Sequence, residues 1–167
     1  SPDGTSVYLL GGHQGDAADK TVLRTTDGTK FEKVATLLHP TRFPAVAMIA
    51  SSIWVIGGEF NNASTPIVQR IDLAAGTVKD VVKLPKALTR ASAFVLGGSV
   101  FVAGGRTPDG RSNQILRIDP ATNAVTVAGA LPEPLSDSTV AVLGNTAYLF
   151  GGLAPEPTKQ IVTITAQ

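Results

Sequence analysis

The sequence predicts an all-β protein in which a unit of four short antiparallel strands is repeated along the chain. Two observations lead to this fold class. Strand-like apolar runs end on paired glycines at a regular spacing, and the 167 residues include 17 glycines and 11 prolines without the periodicity of a long helix. Frequent turn residues between short apolar runs are typical of β proteins, because proline and glycine break helices.

The repeat is marked by a glycine pair and by an aromatic residue three positions before it. The first glycines of the pairs lie 46, 47 and 47 residues apart. A step of this length indicates a solenoid, a propeller or an array. We expect the glycines to allow sharp turns and close approach of neighbouring chain, and the aromatic residues to pack between adjacent units. The pairs are Gly11-Gly12, Gly57-Gly58, Gly104-Gly105 and Gly151-Gly152, and the aromatic residues are Tyr8, Trp54, Phe101 and Tyr148.

Each complete unit contains four predicted strands. In the third unit these cover residues 91–96, 99–103, 114–118 and 124–128. The turns between them are short, as antiparallel neighbours require: Gly97-Gly98 separates the first two strands, and Asp119-Pro120 begins the link between the last two. Four antiparallel strands per repeat form one blade of a β-propeller. The predicted blades cover residues 1–41, 42–89, 90–136 and 137–167, within a single partial propeller domain.

The first and last units are incomplete in this pattern. The chain starts with the second strand of a unit, at Ser6, and ends after a third strand near 160–165, which predicts three, four, four and three strands, or about 3.5 blades. Open ends leave unpaired strand edges and uncovered apolar faces. The preferred interpretation is the C-terminal part of a larger propeller, either excised from it or pairing with the remaining half. A second copy that shares the ring ranks next, and a self-contained four-bladed ring ranks third.

The order of these features resembles the kelch repeat. The glycine pair closes the second strand, a hydrophobic third strand ends near an aspartate, and a fourth strand precedes a leucine that proline follows closely; the aspartates are Asp27, Asp72 and Asp119. The alanine-rich, weakly charged style also resembles secreted or membrane-anchored kelch-like proteins of actinobacteria. The resemblance implies a ring of about six or seven blades, an extracytoplasmic bacterial setting and a role in binding.

Charge and cysteine content narrow the classes of function. The 14 basic and 13 acidic residues give a net charge of +1, and no basic stripe is visible, so a nucleic-acid partner is not expected. Cysteine is absent, which excludes thiolate metal sites and thiol nucleophiles. His13 and His39 have no metal-ligand spacing, and we expect no metal or other cofactor. No apolar run is long enough to span a membrane in this segment.

Candidate ligand-binding residues lie after the glycine pairs and before the first strands. His13, Glu59 and Arg106 form the first group, and Arg42 and Arg90 form the second. Variable loops on a regular scaffold commonly carry recognition. We therefore expect a non-catalytic binding or scaffold module whose loops recognise a protein or carbohydrate partner. The alternative is a sugar-processing propeller enzyme, similar to a sialic acid mutarotase, that acts in the axial pocket.

Two structural interpretations accompany these candidates. Arg42 and Arg90 can instead act as buttresses that donate hydrogen bonds to backbone carbonyls of the neighbouring blade. A second series of arginines precedes the turn aspartates by two or three residues, and exposed ion pairs at those turns are the simplest expectation for it. The arginines of this series are Arg24, Arg70 and Arg117.

Overall fold

The computed structural model describes residues 1–14 and 17–166, and these residues form strands, turns and bends without any helix. The all-β class is therefore confirmed for the described part of the chain. The strands are β1 (Val7–Leu10), β2 (His13–Gln14), β3 (Ala17–Ala18), β4 (Thr21–Thr25), β5 (Glu32–Thr36), β6 (Ala45–Ile49), β7 (Ser52–Ile56), β8 (Glu59–Phe60), β9 (Ala63–Ser64), β10 (Ile67–Asp72), β11 (Thr77–Lys83), β12 (Ser92–Leu96), β13 (Ser99–Ala103), β14 (Arg106–Thr107), β15 (Gly110–Arg111), β16 (Gln114–Ile118), β17 (Val125–Ala130), β18 (Thr139–Leu143), β19 (Thr146–Phe150) and β20 (Ile161–Thr165).

Fourteen of these strands form four antiparallel sheets that follow one another along the chain. Sheet 1 has the order β1-β4-β5, sheet 2 the order β6-β7-β10-β11, sheet 3 the order β12-β13-β16-β17, and sheet 4 the order β18-β19-β20. The predicted inventory of three, four, four and three strands is confirmed. In sheet 3, β13 and β16 have the predicted bounds, whereas β17 runs on to Ala130 beyond a register shift between Ile115 and Leu116.

The segments after the first three glycine pairs were expected to be loops, and this expectation is wrong. Each forms a two-stranded hairpin: β2 with β3, β8 with β9, and β14 with β15. Gly15 and Asp16, which belong to the first predicted loop, lie outside the described residues. The residue after each of these glycine pairs therefore begins a short paired strand.

In each sheet we consider the strand that carries the repeat aromatic residue, which is β1, β7, β13 and β19 in sheets 1 to 4. Its side chains are divided between two faces, because successive residues of a strand point in opposite directions. We call the face with the repeat aromatic residue the aromatic face; it carries Tyr8 and Leu10, Trp54 and Ile56, Phe101 and Ala103, and Tyr148 and Phe150 in sheets 1 to 4. The opposite, aliphatic face carries Val7 and Leu9, Ile53 and Val55, Val100 and Val102, and Ala147 and Leu149.

Neighbouring sheets pack with the aromatic face of one against the aliphatic face of the next. Trp54 and Ile56 of sheet 2 share a buried cluster with Val100 and Val102 of sheet 3, and equivalent clusters join sheet 1 to sheet 2 and sheet 3 to sheet 4. The first strands also lie side by side, since β12 contacts both β6 and β18. Burial of each large apolar side chain stabilises this stack by about 1.5–3 kcal/mol.

The first glycine of a pair lies beneath the linker that leads to the next sheet. A side chain on Gly57 would collide with the backbone oxygen of Leu88, and one on Gly104 would collide with that of Leu135. Both glycines also have φ above +60°, a conformation that L residues rarely adopt. The next backbone amide holds the linker in place, because Gly58 N donates to Leu88 O at 2.8 Å. Glycine is thus required where the linkers cross.

Candidate functional site

Each linker into sheets 2, 3 and 4 pairs with the residue that follows the glycine pair of the same sheet. In sheet 2, Arg42 N donates to Glu59 O at 3.0 Å and Glu59 N donates to Arg42 O at 2.8 Å. The equivalent bridges join Thr89 to Arg106 in sheet 3 and Ser136 to Leu153 in sheet 4. The sequence positions in these bridges recur at a step of 47 residues. Members of the two groups of candidate residues, Arg42 with Glu59 and Arg90 with Arg106, therefore lie close together at one end of sheets 2 and 3.

The residue after each linker position adopts a left-handed backbone conformation although it is not glycine. The φ angles are +53° for Phe43, +57° for Arg90 and +60° for Asp137. These residues are linked across the sheets, because Arg90 N donates to Phe43 O at 3.0 Å and Asp137 N donates to Arg90 O at 2.9 Å. Strained backbone of this kind costs on the order of 1–3 kcal/mol and is found preferentially at functional sites.

Five charged side chains form a continuous arginine–carboxylate network across these sheet ends. Arg42 Nε donates to Glu59 Oε2 at 3.1 Å, and Arg90 Nε lies 3.7 Å from Glu59 Oε1. Arg90 Nη1 donates to Asp137 Oδ1 at 2.9 Å. Arg106 Nη2 donates to Asp137 Oδ2 at 3.1 Å. The charges alternate, and three guanidinium groups against two carboxylates leave the network with an excess of one positive charge.

Hydroxyl groups also donate hydrogen bonds to the two carboxylates. Thr89 Oγ1 donates to Glu59 Oε1 at 3.4 Å, and Ser136 Oγ donates to Asp137 Oδ2 at 2.7 Å. Burial of Asp137 disfavours its charged form, but the hydrogen bonds from Ser136 and Arg90 and the charges of Arg106 and Arg90 outweigh burial and hold the pKa of Asp137 below its usual range. Asp137 is therefore a carboxylate at neutral pH.

Exposed aromatic surface adjoins the network. The guanidinium carbon of Arg90 lies 3.8 Å from the ring centroid of Phe43, and that of Arg42 lies 5.4 Å from the same centroid. Each such cation–π contact contributes about 0.5–1 kcal/mol at an exposed site. Phe43 remains substantially exposed, as does Phe60 in the hairpin next to Glu59. The site thus presents guanidinium groups and exposed aromatic rings side by side.

The structure brings together four of the five candidate residues, Arg42, Glu59, Arg90 and Arg106. His13 occupies the equivalent position after the first glycine pair, at the start of β2 in sheet 1. The buttress interpretation is wrong for the side chains of Arg42 and Arg90, because their polar partners are carboxylates and an amide, including Asn62 Oδ1 at 2.7 Å from Arg42 Nη2.

Asp137 is a member of the network that sequence reasoning missed. It follows Arg90 by 47 residues and Phe43 by twice that interval, so the repeat already assigns the three residues to equivalent positions. The charged side chain at the third copy of the Arg90 position is the signal in the sequence that points to Asp137.

The second arginine series does not form ion pairs with the turn aspartates. Arg24 pairs with Glu32, Arg70 lies over the ring of Trp54 at 5.6 Å, and Arg117 Nε donates to Ser99 Oγ at 2.9 Å. The arginines point across the sheet because they are cross-strand partners of the repeat aromatic residues. The aspartates instead accept backbone N–H groups of their turns, and these hydrogen bonds lower the pKa of Asp27 to about 2.

A cavity near the network has a separate lining. It lies between the linker into sheet 3 and the β14–β15 hairpin, and its lining includes Lys86, Asp109, Arg111 and Asn113 but no network residue. Among the described residues, no group of three His, Asp or Glu side chains is arranged to hold a metal ion. The same part of the chain contains no helix that could cross a membrane.

Comparison with known proteins does not indicate a function for this chain. No family model and no curated protein sequence matches this chain.

Proposed function

We propose that this chain is part of a kelch-like β-propeller and acts as a non-catalytic binding module, with the arginine–carboxylate network recognising a protein or carbohydrate partner. The observation that carries the proposal is the convergence of Arg42, Glu59, Arg90 and Arg106 from consecutive sheets into one partly exposed site. The propeller itself is supported by the repeat of about 47 residues, by the face-to-face packing of the sheets and by the adjacency of their first strands.

The chemistry of the network suits recognition. Arginine and aromatic side chains are enriched where proteins bind partners, because each combines apolar area with directional hydrogen bonds. The guanidinium groups are already oriented by Glu59 and Asp137, so a partner orders little flexible side chain when it binds. The excess positive charge of the network favours partners that present carboxylate or other acidic groups to it.

The alternative, sugar processing in an axial pocket, is less well supported. A general acid or base needs a group whose pKa lies near the working pH and which is free to exchange a proton. Glu59 and Asp137 are each bound by arginines and a hydroxyl group, and the pKa of Asp137 is lowered rather than raised. The carboxylates are therefore arranged to position arginines. An extracytoplasmic setting stays a prediction of the kelch resemblance.

The proposal is tested by binding measurements on network variants. The chain is screened against a glycan array and an array of acidic peptides, and each hit is measured again with the double variant Arg42→Ala/Arg106→Ala. Arg24→Ala is the matched control, because Arg24 is also ion-paired but lies in sheet 1. We expect the double variant to weaken binding on the order of tenfold or more and the control to leave it unchanged. Binding that is equally strong in the double variant contradicts the proposal.

A further inference from the structure

The cavity beside the β14–β15 hairpin lies on the side of sheet 3 that packs against sheet 2. Its volume is about 240 Å³, and its apolar wall is formed by Leu88, Val102 and Leu116. All three side chains are buried members of the cluster that joins the two sheets. Because both of these sheets belong to this chain, the cavity does not depend on what covers the outer sheets.

The equivalent space in sheet 2 is filled by the side chain of Gln69. Gln69 and Leu116 lie 47 residues apart and have equivalent cross-strand partners. Gln69 is buried, and its Oε1 accepts hydrogen bonds from the backbone nitrogens of Leu38 at 2.8 Å and His39 at 3.0 Å. Its Nε2 donates to His39 O at 3.0 Å. A side-chain amide thus bridges the strand and the linker in sheet 2.

In sheet 3 this bridge is absent, because leucine takes the place of the glutamine. Leucine is shorter by one atom and ends in methyl groups, so it forms none of these hydrogen bonds with the linker. The linker residues at the equivalent positions are Pro85 and Lys86. Both line the cavity together with Leu116. The space that a polar side chain fills in sheet 2 is therefore open in sheet 3.

Arg111 gives this open space a positive charge. It lines the cavity, and its Nε is buried without a hydrogen-bond partner among the residues that the structure describes. It lies opposite Arg106 in the hairpin, where like charges disfavour each other. Arg106 is paired with Asp137, and the other two charges of the lining, Lys86 and Asp109, are paired with each other at 2.7 Å. The cavity therefore has one uncompensated cation, whose buried Nε requires an acceptor.

We propose that this cavity binds a small carboxylic acid with an apolar group of about the size of one ring. The carboxylate accepts hydrogen bonds from the guanidinium group of Arg111, and the apolar group packs against Leu88, Val102 and Leu116. An apolar cavity of about 150 Å³ holds benzene, so the volume here accommodates a ring and a carboxylate. A singly charged acid matches the single excess charge. The inference is independent of the proposed function, because no residue of the arginine–carboxylate network lines the cavity.

The test follows binding by two-dimensional ¹H–¹⁵N NMR of the labelled chain, in which the backbone amides of Lys86 and Asn113 report on the cavity. Sodium benzoate and sodium pentanoate are the probes, each titrated to about 10 mM because ligands this small bind weakly. Benzamide is the neutral control, since it has the same ring without the charge. We expect saturable binding of benzoate, pentanoate or both, and binding of benzamide that is weaker by about tenfold or more.

Two variants use residues that sheet 2 already has at the equivalent positions, so both are expected to fold, and thermal unfolding verifies this. Arg111→Ser introduces the residue found at Ser64 and removes the guanidinium group. Leu116→Gln introduces the residue found at Gln69 and fills the cavity with a side-chain amide. We expect each to weaken binding of the acid by about tenfold or more. Arg24→Ser is the matched control, because it removes an arginine of sheet 1.

Three results would overturn the acid-binding cavity. The first is a parent chain that binds neither acid. The second is equal affinity for benzoate and benzamide, because the guanidinium group would then not select the carboxylate. The third is binding that is equally strong in Arg111→Ser or in Leu116→Gln. Arg42→Ala separates the cavity from the arginine–carboxylate network: we expect it to leave binding of the acid unchanged, and a loss of binding in this variant would place the acid on the network instead.

Discussion

Sheets 2 and 3 are built from the same repeat as sheets 1 and 4, but the inner sheets are covered on both faces and the outer sheets on one. Trp54 and Tyr148 occupy equivalent positions in the second strand; Trp54 is fully buried beneath sheet 3, whereas Tyr148 lies on the uncovered face of sheet 4. The repeat therefore specifies an equivalent strand with an aromatic residue in each unit, while the neighbouring unit determines how much that strand contributes to stability.

The comparison also separates the two roles of the repeat. Apolar residues of the strand with the repeat aromatic residue stabilise the stack where a neighbouring sheet is present. The arginine–carboxylate network is built by linker residues together with Glu59 of β8 and Arg106 of β14. Substitutions at equivalent positions of inner and outer sheets measure the contribution of the neighbour directly.

Removal of the repeat aromatic residue should give the largest difference. Trp54→Ala opens a cavity between sheets 2 and 3, and we expect it to lower the free energy of unfolding by about 3–5 kcal/mol. Tyr148→Ala removes a partly exposed side chain, and we expect a loss below about 1 kcal/mol. Urea unfolding of both variants checks this.

Trp54→Phe provides the control for the loss of the indole group. The indole Nε1 of Trp54 is buried without a hydrogen-bond partner among the described residues. The substitution by phenylalanine therefore reduces the volume of the side chain but removes no hydrogen bond. We expect most of the stability lost in Trp54→Ala to be retained. Equal losses for Trp54→Ala and Tyr148→Ala would show that the sheets do not depend on their neighbours.

A smaller difference is expected at the glycine pairs. Gly104→Ala and Gly151→Ala both place a side chain at positive φ, which costs about 1–2 kcal/mol. Only at Gly104 does the new side chain also collide with a linker carbonyl, that of Leu135; at Gly151 the nearest atom is Thr158 O at 3.3 Å. We expect Gly104→Ala to be less stable than Gly151→Ala by about 1–3 kcal/mol in thermal unfolding. Equal costs would mean that the linkers shift easily.

The strand inventory could be predicted from the sequence because the turn residues mark the ends of the long strands. Gly97-Gly98 and the glycine pair at Gly104 limit β13 to its predicted bounds. The hairpins were missed because strands of two residues, such as β14 and β15, have no periodicity to detect. The extension of β17 depends on the register shift opposite Ile115, which no local signal in the sequence indicates.

The candidate site was predictable in part. The repeat indicated that Arg42, Glu59, Arg90 and Arg106 lie at equivalent ends of the sheets. It did not indicate that Arg90 of sheet 3 contacts Glu59 of sheet 2, because that contact depends on the distance between neighbouring sheets and on the side-chain conformation of a long, flexible residue. Ion pairs across repeats are thus set by the packing of the sheets, which the spacing of the repeat does not specify.

The network should contribute the smallest of these effects, and its sign depends on pH. The pKa of Asp137 is lower in the folded chain than in the unfolded chain, so its contribution is fully present above the unfolded pKa and is lost as the pH falls through the folded pKa. Asp137→Asn removes the carboxylate between Arg90 and Arg106 and leaves two guanidinium groups facing each other. We expect a loss of about 1 kcal/mol at neutral pH, because the pairs are partly exposed.

Urea unfolding of the parent and of Asp137→Asn, from neutral pH down to about pH 2, measures this contribution. The two curves should approach each other as the pH falls, since protonation of Asp137 in the parent removes the same charge that the substitution removes. Salt should also reduce the difference at neutral pH, because screening weakens partly exposed ion pairs. A difference in the free energy of unfolding that is constant across the pH range would mean that the asparagine variant is destabilised by the shape or the hydrogen bonds of its new side chain. The charge of Asp137 would then not be what orders the arginines of the inner sheets.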